Sequence, residues 1–161
     1  MGIGNWCFGL AAAMAVGTAA EAATVAHKID FTVTEAFDEY IAEDETEVSY
    51  RTPLPGFWGF ETGETNRGTL TISECGTRCV LVDLVVAGRS LFSDLGEGST
   101  DDFFAVSDDI DYSWLNLWWT GTSGIFQYDQ DRRPYYSFAE ANISIAPVPL
   151  PAPAMLLPVG S

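Results

Sequence analysis

The sequence predicts an all-β fold, namely an antiparallel sandwich or jelly roll of about nine short strands. Apolar and polar residues alternate over short stretches, for example from Ile29 to Val33 and from Ala141 to Ile145. Valine, isoleucine, threonine and aromatic residues, which favour strands, are frequent in these stretches. Gly, Pro, Asn and Asp residues interrupt them at short intervals, as expected for turns between strands.

The chain of 161 residues is expected to divide into three parts. Residues 1–22 have the apolar run and the small-residue end of a secretory signal peptide, with cleavage before Ala23, although no Lys or Arg precedes Lys28. Residues 23–146 are expected to form a single β-sandwich domain, which is long enough to bury a core. Residues 147–161 form a Pro-rich tail whose prolines favour an extended, accessible backbone.

The tail contains the run Val148-Pro149-Leu150-Pro151-Ala152, followed by a short apolar stretch. This run resembles the VPLPA variant of the PEP-CTERM sorting domain of Gram-negative bacteria. The resemblance is confined to the tail, and it implies an exosortase-type sorting enzyme as partner, with these five residues as the segment it recognises. In that family a transmembrane helix and an arginine cluster follow the motif. Only nine residues follow Ala152 here, so we expect that the tail is either truncated or a degenerate form of the signal, and that a full-length form would contact the membrane only transiently. A Pro-rich tail unrelated to this family is the alternative.

Acidic residues outnumber basic ones by 23 to 7, which gives a formal net charge of −16. A field of this sign repels nucleic acids and anionic lipids and attracts cations. The excess of acid therefore argues against nucleic-acid binding, and it is typical of a well-solvated secreted surface.

Cys75 and Cys79 are the two cysteines of the predicted domain, and each adjoins a strand-like run. In an exported protein such a close pair is expected to form a disulfide. We expect the two residues to face each other across the neck of a hairpin, where opposed Cα atoms are close enough for a disulfide. The alternative is a redox pair, although the spacing is CxxxC rather than CxxC. Two thiols alone are too few for a structural zinc site.

The segment from Glu35 to Glu47 is strongly acidic and has two alternative interpretations. Phe37, Tyr40 and Ile41 follow the i, i+3, i+4 spacing of a short helix, whereas the density of acids is equally typical of a solvated loop.

Catalytic motifs are scarce in the sequence. His27 is the only histidine, and the chain has neither a G-x-S-x-G elbow nor a phosphate-binding glycine loop. The sequence therefore predicts a protein that is not an enzyme and has no cofactor. A glycosidase remains the third interpretation, because it needs only two suitably placed carboxylates.

Calcium is the one metal that the sequence brings into consideration. Asp108, Asp109 and Asp111 fall in one predicted loop, and Asp129 and Asp131 fall in another that runs to Pro134. Clustered carboxylate oxygens suit this hard cation. Neither group matches the EF-hand pattern, and aspartates that are merely solvated in turns are the alternative.

Aromatic residues provide one binding hypothesis. Trp58, Trp114 and Trp118 are candidates for a platform on which sugar rings stack, and an alternating strand would place Trp114, Asn116 and Trp118 on one face. Most aromatic rings of a two-sheet domain belong to its core, so a core position is the alternative for each of them.

Taken together, these observations predict a secreted protein of the cell envelope, cell surface or extracellular matrix with a structural or interaction role. It would be sorted through the VPLPA-type signal. The second interpretation is a carbohydrate-binding module for exopolysaccharide, and the third is the glycosidase-like enzyme.

Overall fold

A computed structural model describes residues 22–41, 48–109 and 112–147 of the chain. In these ranges the chain forms eleven β-strands and no α-helix. The strands are β1 (Thr24–Ile41), β2 (Val48–Pro53), β3 (Gly56–Phe57), β4 (Phe60–Glu61), β5 (Thr65–Gly76), β6 (Cys79–Val86), β7 (Arg89–Gly98), β8 (Asp102–Asp109), β9 (Ser113–Thr120), β10 (Ser123–Arg132) and β11 (Tyr135–Ile145). No helix long and apolar enough to cross a membrane occurs in the part of the chain that is described.

Eight of the strands close into an antiparallel barrel. Strands β5 to β11 follow one another as a meander, and β1 lies between β5 and β11 and joins the two ends. The predicted all-β antiparallel class is confirmed, but one closed barrel replaces the predicted sandwich or jelly roll. The reason is the length of β1, whose 18 residues pair with β5 along one edge and with β11 along the other.

Alternation along the strands separates the core from the outer wall. In β6 the residues Val80, Val82, Leu84 and Val86 are completely buried, whereas the residues between them face outwards. Successive side chains of a strand point to opposite faces, so the apolar set of each strand fills the interior of the barrel. In β9 the same rule places Leu117 and Trp119 inside.

The acidic segment after Glu35 continues as strand β1 to Ile41, so neither the helix nor the loop is correct for these residues. A register shift between Val33 and Glu35 accompanies the change. Beyond it Phe37 stacks on Phe138 of β11 with ring centroids 5.1 Å apart, and β2 pairs on the other side. Cross-strand contacts thus outweigh the local spacing of apolar residues. The rest of the segment, residues 42–47, lies outside the described residues.

A small hairpin of β3 and β4 packs onto the core at the end of the barrel where β5 begins, β6 ends and β7 begins. Its turn consists of Trp58 and Gly59, whose φ angles are 51° and 83°. Two positive φ angles are typical of the type I′ turn that joins short antiparallel strands. The turn places the Trp58 indole against Phe126, with centroids 4.9 Å apart, and against Phe31 at 5.8 Å. Arg89 donates a hydrogen bond of 3.1 Å to the Trp58 carbonyl oxygen.

The predicted disulfide between Cys75 and Cys79 is confirmed, with Cα atoms 5.2 Å apart. It joins the strands of the β5–β6 hairpin, but the two cysteines are not directly opposed as expected. Cys79 pairs with Gly76, because the register shifts between Glu74 and Gly76.

Both ends of the described chain are attached to the barrel by backbone hydrogen bonds. The amide of Glu74 donates to the Ala23 carbonyl at 2.9 Å, and the amide of Ala146 donates to the Lys28 carbonyl at 2.8 Å. Both attachments lie towards the same end of β1, the end at which the disulfide hairpin is found.

Substitution of Trp58 by alanine tests whether this residue belongs to the core. We expect Trp58→Ala to lower the free energy of unfolding by about 3 kcal/mol, because the ring is removed from its contacts with Phe31 and Phe126. The matched control is Trp114→Ala, which removes a partly exposed indole and should cost less than about 1 kcal/mol. Denaturant unfolding measures both. Equal losses in the two variants would contradict the core position of Trp58.

Candidate functional site

Three aromatic side chains lie on the outer wall of neighbouring strands. Phe104 of β8 is 39% exposed, and Trp114 and Trp118 of β9 are each 38% exposed. Because β9 alternates, Trp114 and Trp118 face outwards while Trp119 is buried inside the barrel, as the pattern of the sequence predicts. We call Phe104, Trp114 and Trp118 the aromatic platform.

Phe104 and Trp118 form the centre of the platform. They are directly paired across β8 and β9, and their rings stack with centroids 5.0 Å apart and planes inclined by 29°. Ile125 of β10 pairs with Trp118 from the other side, and Asn142 of β11 pairs with Ile125. A row of two rings, one aliphatic side chain and one amide therefore crosses four strands of the outer wall.

A depression lies on each side of Trp118. The wide groove, of about 600 Å³, crosses β9, β10 and β11. The residues that line it include Trp118, Thr120, Ser123, Ile125, Asn142 and Ser144. The narrow groove, of about 270 Å³, includes Phe104, Asp102, Glu97 and Arg78. Hydroxyl and amide groups thus border an indole ring on the wide side, and charged groups border it on the narrow side.

Polar side chains occupy the outer wall between the two tryptophans. Asn116 lies between Trp114 and Trp118 on β9, and its amide Nδ2 donates a hydrogen bond of 3.4 Å to Asp129. On the next two strands, β10 and β11, Gln127 Nε2 donates a hydrogen bond of 2.7 Å to the carboxylate of Glu140. These bonds hold two amides and two carboxylates in place on the wall.

Tyr136 of β11 completes this polar region. Its hydroxyl donates a hydrogen bond of 2.6 Å to Asp129 Oδ1. Burial raises the pKa of the Tyr136 phenol, and the hydrogen bond to Asp129 and the negative charges of Asp129, Glu39 and Asp131 raise this pKa further. The phenol therefore stays protonated and remains a donor throughout the neutral range.

Only part of the platform that the sequence predicts is brought together. Trp114 and Trp118 share the outer wall of β9, whereas Trp58 packs on the core with Phe31 and Phe126. Phe104 takes the third place, and it was missed because nothing in the sequence shows that it pairs with Trp118. The apolar alternation around Phe104 indicates a strand but not the neighbour of that strand.

The aspartates considered for calcium are divided among different positions. Asp129 and Asp131 belong to strand β10, which continues to Arg132, and not to the predicted loop. Asp129 accepts hydrogen bonds from Tyr136 and Asn116, and Asp131 lies 3.5 Å from the guanidinium of Arg133.

The remaining calcium candidates add no ligand set. Asp108 and Asp109 are the last residues of β8, and Asp111 lies outside the described residues. Within the described ranges no group of three His, Cys, Asp or Glu side chains is placed to hold a metal ion. A calcium site stays a prediction.

The sorting motif Val148, Pro149, Leu150, Pro151 and Ala152 lies outside the described residues, as do residues 1–21 of the predicted signal peptide. Processing and sorting therefore stay predictions as well. His27 faces the interior of the barrel, where its ring lies 5.4 Å from that of Trp119.

The raised pKa of Tyr136 predicts a loss of stability in alkali. The protonated phenol contributes stability that is fully present below the pKa of an unfolded tyrosine, about 10, and is lost as the pH rises through the higher folded pKa. We expect the free energy of unfolding of the wild type to fall between about pH 8 and about pH 11 more than that of Tyr136→Phe. Urea titrations at both pH values measure the difference. Tyr135→Phe, at an exposed neighbouring position, is the control and should behave like the wild type.

Comparison with protein-family models, with curated proteins and with solved structures finds no match to this chain. Its function is therefore inferred from the chemistry of the aromatic platform and the grooves beside it.

Proposed function

We propose that the protein is an exported interaction protein of the cell surface or extracellular matrix, and that it binds polysaccharide through the aromatic platform. The observation that supports this most directly is the stacked pair of Phe104 and Trp118, which is exposed on the outer wall next to a groove bordered by hydroxyl and amide groups. This combines the first two interpretations of the sequence, a surface interaction protein and a carbohydrate-binding module.

The chemistry of a sugar ring matches this surface. A pyranose presents C–H groups on its faces and hydroxyl groups around its rim. An exposed indole offers a flat apolar surface for the C–H groups. The side chains of Ser123, Ser144 and Asn142 offer donors and acceptors for the hydroxyls at the border of the wide groove.

The hydrogen bonds of the nearby carboxylates support a binding role better than a catalytic one. Asp129 accepts two hydrogen bonds, from Tyr136 and Asn116. Glu140 accepts bonds from Gln127 and from the hydroxyl of Thr34. A glycosidase needs one carboxyl group to protonate the leaving oxygen and a second one to act as nucleophile or base. Carboxylates engaged in this way favour a binding role for the outer wall.

Export is supported by features outside the platform. The signal-peptide pattern of residues 1–22 and the VPLPA-type tail indicate secretion and sorting by an exosortase-type enzyme. The disulfide between Cys75 and Cys79 fits an oxidising compartment such as the periplasm or the cell surface. A polysaccharide ligand is consistent with that location.

Substitution of Trp118 tests the proposed binding surface. We expect Trp118→Ala to bind exopolysaccharide from the native host about tenfold more weakly than the wild type, since loss of the stacking ring removes on the order of 1.4 kcal/mol. Affinity electrophoresis in gels that contain the polysaccharide measures the change. The control is Tyr50→Ala on β2, which removes a 58% exposed ring away from the platform and should leave binding unchanged. Unchanged binding by Trp118→Ala, with a normal melting curve, would refute the platform as the binding surface.

The mass of the protein recovered from its native host tests processing. We expect an N-terminus at Ala23 and a C-terminus within Val148 to Ala152, as the signal-peptide pattern and the VPLPA resemblance imply. Intact-mass measurement combined with sequencing of both termini gives the answer. Recovery of the chain with its tail intact to Ser161 would refute the sorting proposal and leave the polysaccharide proposal untouched.

A further inference from the structure

We infer that the ligand is a neutral, unbranched polysaccharide that lies along strand β9 and covers Trp118 and Trp114 at the same time. This inference rests on the proposed function and specifies its ligand. It is carried by the spacing of the two tryptophans, by the polar groups between them and by the charges of strands β8 to β11.

The two indoles define two separate stacking positions. Trp114 and Trp118 are four residues apart on one strand, which corresponds to about 13 Å along an extended backbone. Both are exposed to the same extent, 38%. A single sugar ring can stack on only one of them at this separation, whereas a chain of several sugars reaches both.

The wall between the indoles supplies hydrogen-bonding groups in line with such a chain. Asn116 lies midway, and its Nδ2 donates a hydrogen bond to Asp129 that orients the amide on the wall. Gln127 of β10 pairs with Asn116 of β9, and its side chain is held by the hydrogen bond to Glu140. A sugar placed between the two stacking positions thus meets an amide side chain.

A chain that lies along β9 reaches two grooves at Trp118, and these extend across the strands, the wide one towards β10 and β11 and the narrow one towards β8. The wide groove lies on one side of the ring and the narrow groove on the other. Because the platform is on the outer wall of the barrel, a chain can pass across it and continue in both directions. The arrangement therefore favours internal segments of a polysaccharide over its ends, and Trp118 is the stronger of the two positions because Phe104 stacks against it.

The charges around the aromatic platform favour a neutral polysaccharide. No Lys or Arg occurs from Asp102 to Asp131 or from Tyr135 to Ile145, which contain all of β8, β9 and β11 and β10 up to its last residue, Arg132. Arg78, which borders the narrow groove, is paired with Glu97 at 3.1 Å. Asp129 and Glu140 are carboxylates of the same wall, and the whole chain has a net charge of −16. A polysaccharide rich in uronate or sulfate would be repelled, whereas an uncharged one would not.

The test compares short and long oligosaccharides of one linkage at a time. The probes are cellobiose with cellohexaose, laminaribiose with laminarihexaose, and maltose with maltohexaose, and calorimetric titration measures each affinity. For at least one linkage we expect the hexasaccharide to bind the wild type at least about tenfold more tightly than the disaccharide, which is the gain from a second stacking position. Alginate and polygalacturonate, the anionic probes, are expected to bind more weakly and to bind better when added salt screens the repulsion.

Two substitutions test whether the higher affinity for the hexasaccharide comes from the two indoles. Trp114→Ala should lose about tenfold in affinity for the hexasaccharide and keep the wild-type affinity for the disaccharide, whereas Trp118→Ala should lose affinity for both. Tyr50→Ala is the matched control and should bind like the wild type. Circular dichroism establishes that each variant is folded.

The outcomes separate this inference from the proposed function. If Trp114→Ala binds the hexasaccharide like the wild type while Trp118→Ala does not, the extended ligand is refuted and the platform is retained. Tighter binding of alginate or polygalacturonate than of every neutral probe refutes the neutral class. If no probe, neutral or anionic, depends on Trp118, both the inference and the proposed function fail.

Discussion

The pairing of β1 with β11 is the contact on which the rest of the structure depends. Nine further strands are described, but only this pairing converts the open sheet into a closed barrel. It begins at Ile29 and Ile145 and extends to Tyr40 and Tyr135, so about two thirds of β1, towards its C-terminal end, is held by the last strand. Closure removes the exposed edges that an open sheet would present, and it defines one interior for the apolar side chains.

Once the interior is defined, the outer wall is defined with it. Trp118 and Trp119 are neighbours in sequence, yet the first contacts Phe104 on the outside and the second lies within the core. The interior is filled from one end by rings such as Phe31 and Phe126, on which Trp58 packs. The exposed rings are consequently found on the wall, where the alternation of β9 leaves two indoles in contact with solvent.

Local features of the sequence predicted local features of the structure. The alternation in β9 gave the correct faces of Trp114 and Trp118, and the close pair Cys75 and Cys79 gave the disulfide, because each depends on residues near in the chain. The barrel could not be predicted in this way. Alternation shows that a strand has two faces, but it does not say which strand lies beside it.

The same limit explains the errors at single residues. Phe37 has the local spacing of a helix, and its position in a strand follows from contacts with Phe138, which lies far away in sequence. Trp58 is found on the core because its turn directs it there, and Phe104 joins the platform through the register of β8 with β9. For the candidate site, two of the three predicted tryptophans were correctly placed on one face.

The pairing of β1 with β11 also has a consequence for when the chain can fold. The hydroxyl of Thr34 in β1 bonds to Glu140 in β11, 106 residues later. Contacts between residues so distant in sequence slow folding, because the loop must be closed before the contacts can stabilise it. A chain that is synthesised from its N-terminus therefore holds β1 without one of its partners until β11 has followed. Until that moment the edge of β1 is open to other strands, so the barrel can reach its native form only after almost the whole chain has been synthesised.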